Sequence, residues 1–164
     1  GTMNELYTLL IGYFTTLSSV RVIRANQNAP APTAPYLTIN IQSVQPTGSY
    51  RTAIANDGTQ DVTRTYAFTL DVNFYGKKNG QVELEALVDT VLDGLEDHTA
   101  RLLELEGKIA MQEVIQPPTD VSALFGEQWQ PRYNIALRMH TSRAVEYVNS
   151  YIDDVDVLKT WRTA

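Results

Sequence analysis

The chain contains no cysteine, which excludes disulfides, thiolate metal sites and cysteine nucleophiles outright. Histidine is nearly absent as well: His98 and His140 are the only two, and neither lies in a His-Glu-x-x-His pattern. No apolar run approaches the ~20 residues needed to cross a bilayer. The stretch Leu9 to Phe14 is too short and lacks the basic start of a signal peptide. These features predict a chain that neither spans a membrane nor is exported. Basic residues are the minority, 13 Lys and Arg against 19 Asp and Glu, giving a formal charge of −6. That is the wrong sign for a protein that neutralises nucleic-acid phosphates. An acidic surface suits proximity to nucleic acid only where adhesion must be avoided.

Catalytic signatures are missing in the same way. Gly76-Lys77-Lys78-Asn79-Gly80 lies between a predicted strand and a predicted helix, but lacks the phosphate-loop spacing. No Gly-x-Ser-x-Gly elbow is present. Asp153, Asp154 and Asp156 lack the glycine and distal glutamate of a calcium loop. A charged strand edge, blunted against unwanted pairing, accounts for them better. His98 follows an acidic helix end, where the helix dipole favours a cation. No catalytic residue, metal ligand or cofactor is assigned.

What is present is pattern. At 164 residues, 43% hydrophobic and 20% charged, the composition is that of a globular chain with room for a core. Gly1-Thr2 before Met3 reads as an expression-tag remnant, leaving residues 3–164 as one domain. Met3 to Ser18 reads as a helix, with Leu6, Leu10, Phe14 and Leu17 at helical spacing. Val20 to Arg24 reads as a short strand. Pro30, Pro32 and Pro35 then make Asn28 to Tyr36 a stiff extended arm. Leu37, Ile39 and Ile41 alternate with polar residues, the mark of a half-buried strand. Asn56-Asp57-Gly58 is a turn signal.

Val62 to Tyr75 is the clearest strand. Val62, Tyr66, Phe68, Leu70, Val72 and Phe74 share one face, and Thr63, Thr65, Thr69, Asp71 and Asn73 the other. Gln81 to Asp97 carries the helical stripe Leu84, Leu87, Val88, Val91, Leu92 and Leu95. Its opposite side holds Glu83, Glu85, Asp89, Asp93, Glu96 and Asp97 with no Lys or Arg. Thr99 to Glu106 reads as a shorter helix and Lys108 to Ile115 as a strand ended by Pro117-Pro118. Asp120 to Phe125 reads as a single helical turn, Gln128 to Thr141 as a strand and Tyr147 to Leu158 as a last strand or two. This order predicts an α+β fold with an antiparallel or mixed sheet and the helices packed on one face.

Three segments in this order resemble the bacteriophage neck and tail terminator family: VIRANQNAPAPTAPYLTINI with its proline arm, TRTYAFTLDVNFYG followed by the acidic helix, and DVSALFGEQWQPRYNIALRMH. A closing YIDDVDV completes a likeness that runs from about Val20 to Leu158. The resemblance implies a tail-terminator-like α+β subunit without enzymatic activity. Such a subunit forms a ring with copies of itself, commonly a hexamer, at the head-proximal end of the tail. It implies that the ring caps the tail tube, stops its polymerisation and offers a docking surface to head-completion or connector proteins. DNA passes through the lumen unbound, and the place of action is the virion neck, assembled in the host bacterial cytoplasm. Candidate interface residues are Asn28, Pro30, Pro32 and Tyr36 on the arm, and Tyr50, Arg51 and Arg64 near the turn, since Tyr and Arg favour interface cores. Glu83, Glu85, Asp89 and Asp93 are candidates for an acidic lumen or a solvated face. Two alternatives stand beside this reading: a tail-tube or tail-completion subunit, and a small enzyme or ligand-binding domain using His98 or His140.

Overall fold

The computed structural model describes residues 3–26, 28–54, 58–96, 109–125 and 128–148. Helix α1 spans Met3–Ser18 and strand β1 Arg21–Arg24. Two long strands follow, β2 at Tyr36–Ile54 and β3 at Thr59–Tyr75. Helix α2 covers Gln81–Glu96 and β4 covers Ile109–Asp120. Two short strands, β5 (Ala123–Phe125) and β6 (Gln128–Gln130), precede β7 at Arg132–Val148. The fold is α+β: a mixed five-stranded sheet ordered β1-β2-β3-β7-β4, with β5 and β6 forming a separate ribbon.

Helix and sheet meet in one apolar layer. On β3 the even-numbered residues Phe68, Leu70, Val72 and Phe74 are buried, as their alternation dictates. From β2 come Leu37 and Ile39, and from β7 Ile135, Leu137 and Met139. Helix α1 contributes Tyr7, Leu10 and Phe14, and α2 contributes Leu84, Val88, Val91 and Leu95. The two helices touch closely at Gly94, where a Cβ would stand 2.6 Å from Cδ2 of Leu17. Only a residue without a side chain fits that approach undisturbed.

Tyr7 also finishes the edge of the sheet. Strand β1 pairs in parallel with β2 only as far as Arg24 and Ile39. Beyond that point the Ile41 amide donates to the Tyr7 hydroxyl at 2.8 Å, and that hydroxyl donates to Asn40 Oδ1 at 3.3 Å. A half-buried backbone donor beyond the end of β1 thus gains a side-chain partner.

The proline arm has a clear intrachain role. Parallel neighbours cannot be joined by a tight hairpin and need a crossover. Eleven residues, 25–35, make that crossover, and the described ones form no helix. A stiff, proline-rich connection with a cis Ala34–Pro35 bond returns the chain to the same end of the sheet.

Several boundaries differ from the sequence reading. The hairpin is longer: β2 runs past Pro46 to Ile54, and β3 begins at Thr59, so much of residues 46–61 is strand. Two register shifts, between Gln42 and Gln45 and between Pro46 and Tyr50, absorb the irregular residues, with Ser43 and Gly48 at positive φ. Among the described residues β2 is an edge strand past Ile39, where a proline is tolerated. Strand β4 likewise continues through Pro117-Pro118 to Asp120 at the opposite edge, again with register shifts. Asp120 to Phe125 is not a helical turn. Asp120 ends β4, and Ala123 to Phe125 pair with Gln128 to Gln130. The predicted strand from Gln128 is divided at Pro131 into β6 and β7. Tyr147 and Val148 extend β7 rather than starting a new strand, pairing with Gln60 and Thr59. The predicted helix at 99–106, and everything from 149 onward, lie outside the described residues.

Candidate functional site

The sheet face opposite the helices is polar and organised in rows across the strands. Register sets Tyr36 beside Tyr75 and Tyr75 beside Arg132. The two tyrosine rings stack at 4.7 Å with an interplanar angle of 6°, and the Arg132 guanidinium lies 4.7 Å from the Tyr75 ring centre. Burial raises the Tyr36 phenol above its ordinary value; Tyr75 adds to that and Arg132 opposes it. The next row is Thr38, Asn73 and Asn134, and the one after it Asn40, Asp71 and Ala136.

Asn134 is the hub of these rows. Its amide donates to Asp71 Oδ1 at 2.8 Å, to Asn73 Oδ1 at 3.1 Å and to the Val72 carbonyl at 3.3 Å. Its oxygen accepts from Gln116 Nε2 at 2.7 Å, carrying the network onto β4. Asn73 Nδ2 donates to the other Asp71 oxygen at 3.2 Å. Both Asp71 carboxylate oxygens are therefore occupied. Two donors are not: Thr38 Oγ1 and Arg132 Nε are enclosed without a partner.

The arm closes one side of this polar face. Between it and the sheet lies a cavity of about 330 Å³, with Asn26, Ala29 and Ala31 on the arm side and Thr38, Asn73 and Arg132 on the sheet side. Arg24 also lines it, with its guanidinium 3.8 Å from the centre of the Tyr7 ring.

The sequence-derived interface candidates fall at two ends of the molecule. Asn28 and Pro30 are exposed on the arm, Pro32 is half-buried, and Tyr36 is buried in the tyrosine stack. Tyr50 and Arg51 stand on the outer part of β2, where they pair with Arg64 and Thr63; Arg64 is exposed. Fourteen residues of strand, about 45 Å, separate Tyr36 from Tyr50. Arm and hairpin end therefore do not form one surface.

Glu83, Glu85, Asp89 and Asp93 are all exposed on α2. Glu85 accepts from the Tyr133 hydroxyl at 3.1 Å and from Gln81 Nε2 at 3.4 Å. Burial pushes the Tyr133 phenol up; the Gln81 hydrogen bond opposes this, and the Glu85 carboxylate adds to it. Among the described residues none of the four carboxylates forms an ion pair.

The loop at residues 76–80 is a closed turn. Three of its amides are engaged: Gly76 N–H donates to the Pro131 carbonyl, Asn79 N–H to the Trp129 carbonyl and Gly80 N–H to the Lys77 carbonyl. None of these three is left for a phosphate. Among the described residues no cluster of three or more metal-ligating side chains occurs. His140 lies on β7 opposite Ala67 and Ala110, and His98 falls outside the described residues. No described helix is long and apolar enough to cross a membrane.

Sequence reasoning singled out Asp71 and Asn73 as the polar face of β3 but did not find their partners. Asn134 and Gln116 join them only through strand register, which local pattern does not encode. The signal that was available is three strands placing short amides and a carboxylate on the face opposite their apolar residues.

The model of a protein family described as phage neck terminator protein matches residues 4–162, almost the whole chain. No curated protein matches the chain.

Proposed function

The chain belongs to the phage neck terminator family and has a structural role in the phage neck; on that premise we propose that it forms a ring that caps the tail tube. In this reading the ring ends tube polymerisation and presents the surface on which head-completion or connector proteins dock. The observation that carries it is the outer part of the β2–β3 hairpin. Among the described residues β2 has a strand neighbour on one side only from Gln42 onward, and Val44 and Ile54 are 40% and 72% exposed. A long, open strand edge invites pairing with another chain, and in a ring each copy offers that edge to the next. Tyr50, Arg51 and Arg64 sit on this part of the hairpin and are the interface residues we assign to it.

The acidic face of α2 supplies the second element. Six chains at −6 carry −36, and a lumen lined by Glu83, Glu85, Asp89 and Asp93 repels DNA phosphates, so the genome slides through without adhering. The ring acts by assembly and position in the virion, not by turnover.

Native mass measurement and negative-stain microscopy of the purified chain, alone and with tail tubes, test this reading. Closed rings, free or at one end of each tube, are expected. Particles lacking the protein that still carry tails of normal length joined to heads overturn it.

A further inference from the structure

Charge is sorted across the sheet, one sign at each edge. From Val20 to Ile54, the stretch that makes β1, the arm and β2, the chain carries Arg21, Arg24 and Arg51 and no Asp or Glu. Among the described residues β1 and the outer part of β2 form one edge of the sheet. Helix α1 lies on this side, with Tyr7 bonded to Ile41, and Glu5 is its one charged residue. The opposite edge is β4, and α2 lies on that side: Gln81 bonds to Asp120, and Tyr133 of the adjoining β7 to Glu85. Helix α2 carries five carboxylates and β4 two, Glu113 and Asp120, with no Lys or Arg in either element. Among the described residues only Glu113 of these forms an ion pair, 3.5 Å from Arg138 Nε, and both partners are exposed. Strands β3 and β7, between the edges, carry both signs, and Lys77 and Lys78 sit in the turn between β3 and α2.

Resting on the reading that copies of the chain form a ring, we propose that the basic β1–β2 edge of one copy docks against the acidic β4 edge of the next. Charges on a strand edge ordinarily discourage every partner. Two edges of opposite sign are more selective: like edges repel and unlike edges attract. A two-fold dimer joins like surfaces, whereas each step of a ring joins one surface to a different one. The sorting of charge therefore favours head-to-tail rings over dimers. Strand direction permits the contact. Strand β1 runs parallel to β2, and β2, β3, β7 and β4 alternate in direction. With two copies side by side in the same orientation, β1 or β2 of one lies antiparallel to β4 of the other. On the face that carries the helices, Arg24 and Asp120 also stand at similar levels. Arg24 is in the row of Ile39 and Val72, and Asp120 in the row of Tyr133 and Phe74, two residues or about 7 Å further along. The α2 carboxylates assigned above to the lumen flank this edge and strengthen its field.

Sedimentation velocity and native mass spectrometry of the full chain test this. Association of the wild-type chain should weaken about tenfold or more between about 50 and about 300 mM NaCl. The R21E/R24E/R51E chain, with both edges acidic, and the E113K/D120K chain, with both edges basic, should each stay monomeric. An equimolar mixture of the two should associate again, with both chains in equal numbers, because every contact then joins unlike edges. Association of either variant alone at wild-type strength overturns the proposal. So does a mixture that stays monomeric while each variant melts like the wild type. Where a variant fails to fold, the salt series on the wild-type chain decides, and association unchanged by salt overturns the proposal. If wild-type chains form rings and the mixture does not associate, the edge assignment alone falls. If the mixture associates and wild-type chains form no ring, free or on tail tubes, the ring reading falls and the edge pairing stands.

Discussion

The two halves of the β2–β3 hairpin are built from the same pair of strands and live in different surroundings. In the inner half, Leu37 and Ile39 of β2 and Leu70, Val72 and Phe74 of β3 are fully buried beneath α1 and α2. In the outer half, β2 is exposed at every described position from Gln42 to Thr47, while β3, between its two neighbours, is half-buried apart from buried Val62 and exposed Arg64. Backbone pairing continues through both halves, interrupted only by the shifts near Ser43 and Gly48. The lesson is that hydrogen-bonded register and hydrophobic stability are separable. The inner half is held by its core, whereas the outer half is held mainly by its ladder. Strands without a covered hydrophobic face add little independent stability in water.

Substitutions that strike one half and spare the other break or sharpen this contrast. Phe74→Ala in the inner half should cost about 3–5 kcal/mol of unfolding free energy, read by denaturant titration of the isolated chain. Gly94→Val, at the contact of the helices above the inner half, should cost about 1–3 kcal/mol through overpacking against Leu17. In the outer half, Ile54→Ser should change the stability of the isolated chain by no more than about 0.5 kcal/mol. The same variant should nevertheless reduce ring formation in native mass spectra. A loss of stability equal to that of Phe74→Ala would show that the outer half is part of the core after all.

The smallest effect concerns pH and lies at the end of β4. Hydrogen bonds from the Ser122 side chain and backbone amide, with a smaller one from Gln81, hold the Asp120 carboxyl below its ordinary value of 3.8, slightly opposed by desolvation. Because the folded value is the lower one, this contribution is in place above the unfolded value and fades as pH falls through the folded value. Asp120→Asn should therefore flatten the acid end of the stability profile slightly and leave neutral pH nearly unchanged. Thermal melts between pH 2.5 and 7 read this directly.

The helices and the inner half were legible from the sequence because one periodicity determines each of them. Helix α1 occupies Met3–Ser18, as its spacing predicted, and β3 buries the face its alternation named. The outer half of β2 was not read as strand from the sequence, because Pro46 and Gly48 interrupt the alternation. At a sheet edge they are compatible with a strand, and whether a strand is an edge depends on a partner far away in sequence. The same reason hid the continuation of β4 through Pro117-Pro118. Ala123–Phe125 was misread because three residues are too few to distinguish a turn of helix from a strand. The polar face was half legible: Asp71 and Asn73 declared themselves, while Asn134 sits 61 residues after Asn73 and meets it only in the folded sheet. Tyr7 was missed as a buried residue because its role is to cap an edge, and no helical pattern records that.

The register shifts near Ser43 and Gly48 have a mechanical consequence. They lie between a clamped base, Tyr36 to Ile41, and a tip at Ile54. Bulges concentrate bending and twist, so any tilt of outer β2 has its flexure close to the base, while β3 keeps unbroken register with β7. A tilt of about 10° at Ser43 carries the tip, some 36 Å away along the strand, through about 6 Å. A modest adjustment at the rim of the core thus becomes a displacement larger than the spacing between two strands.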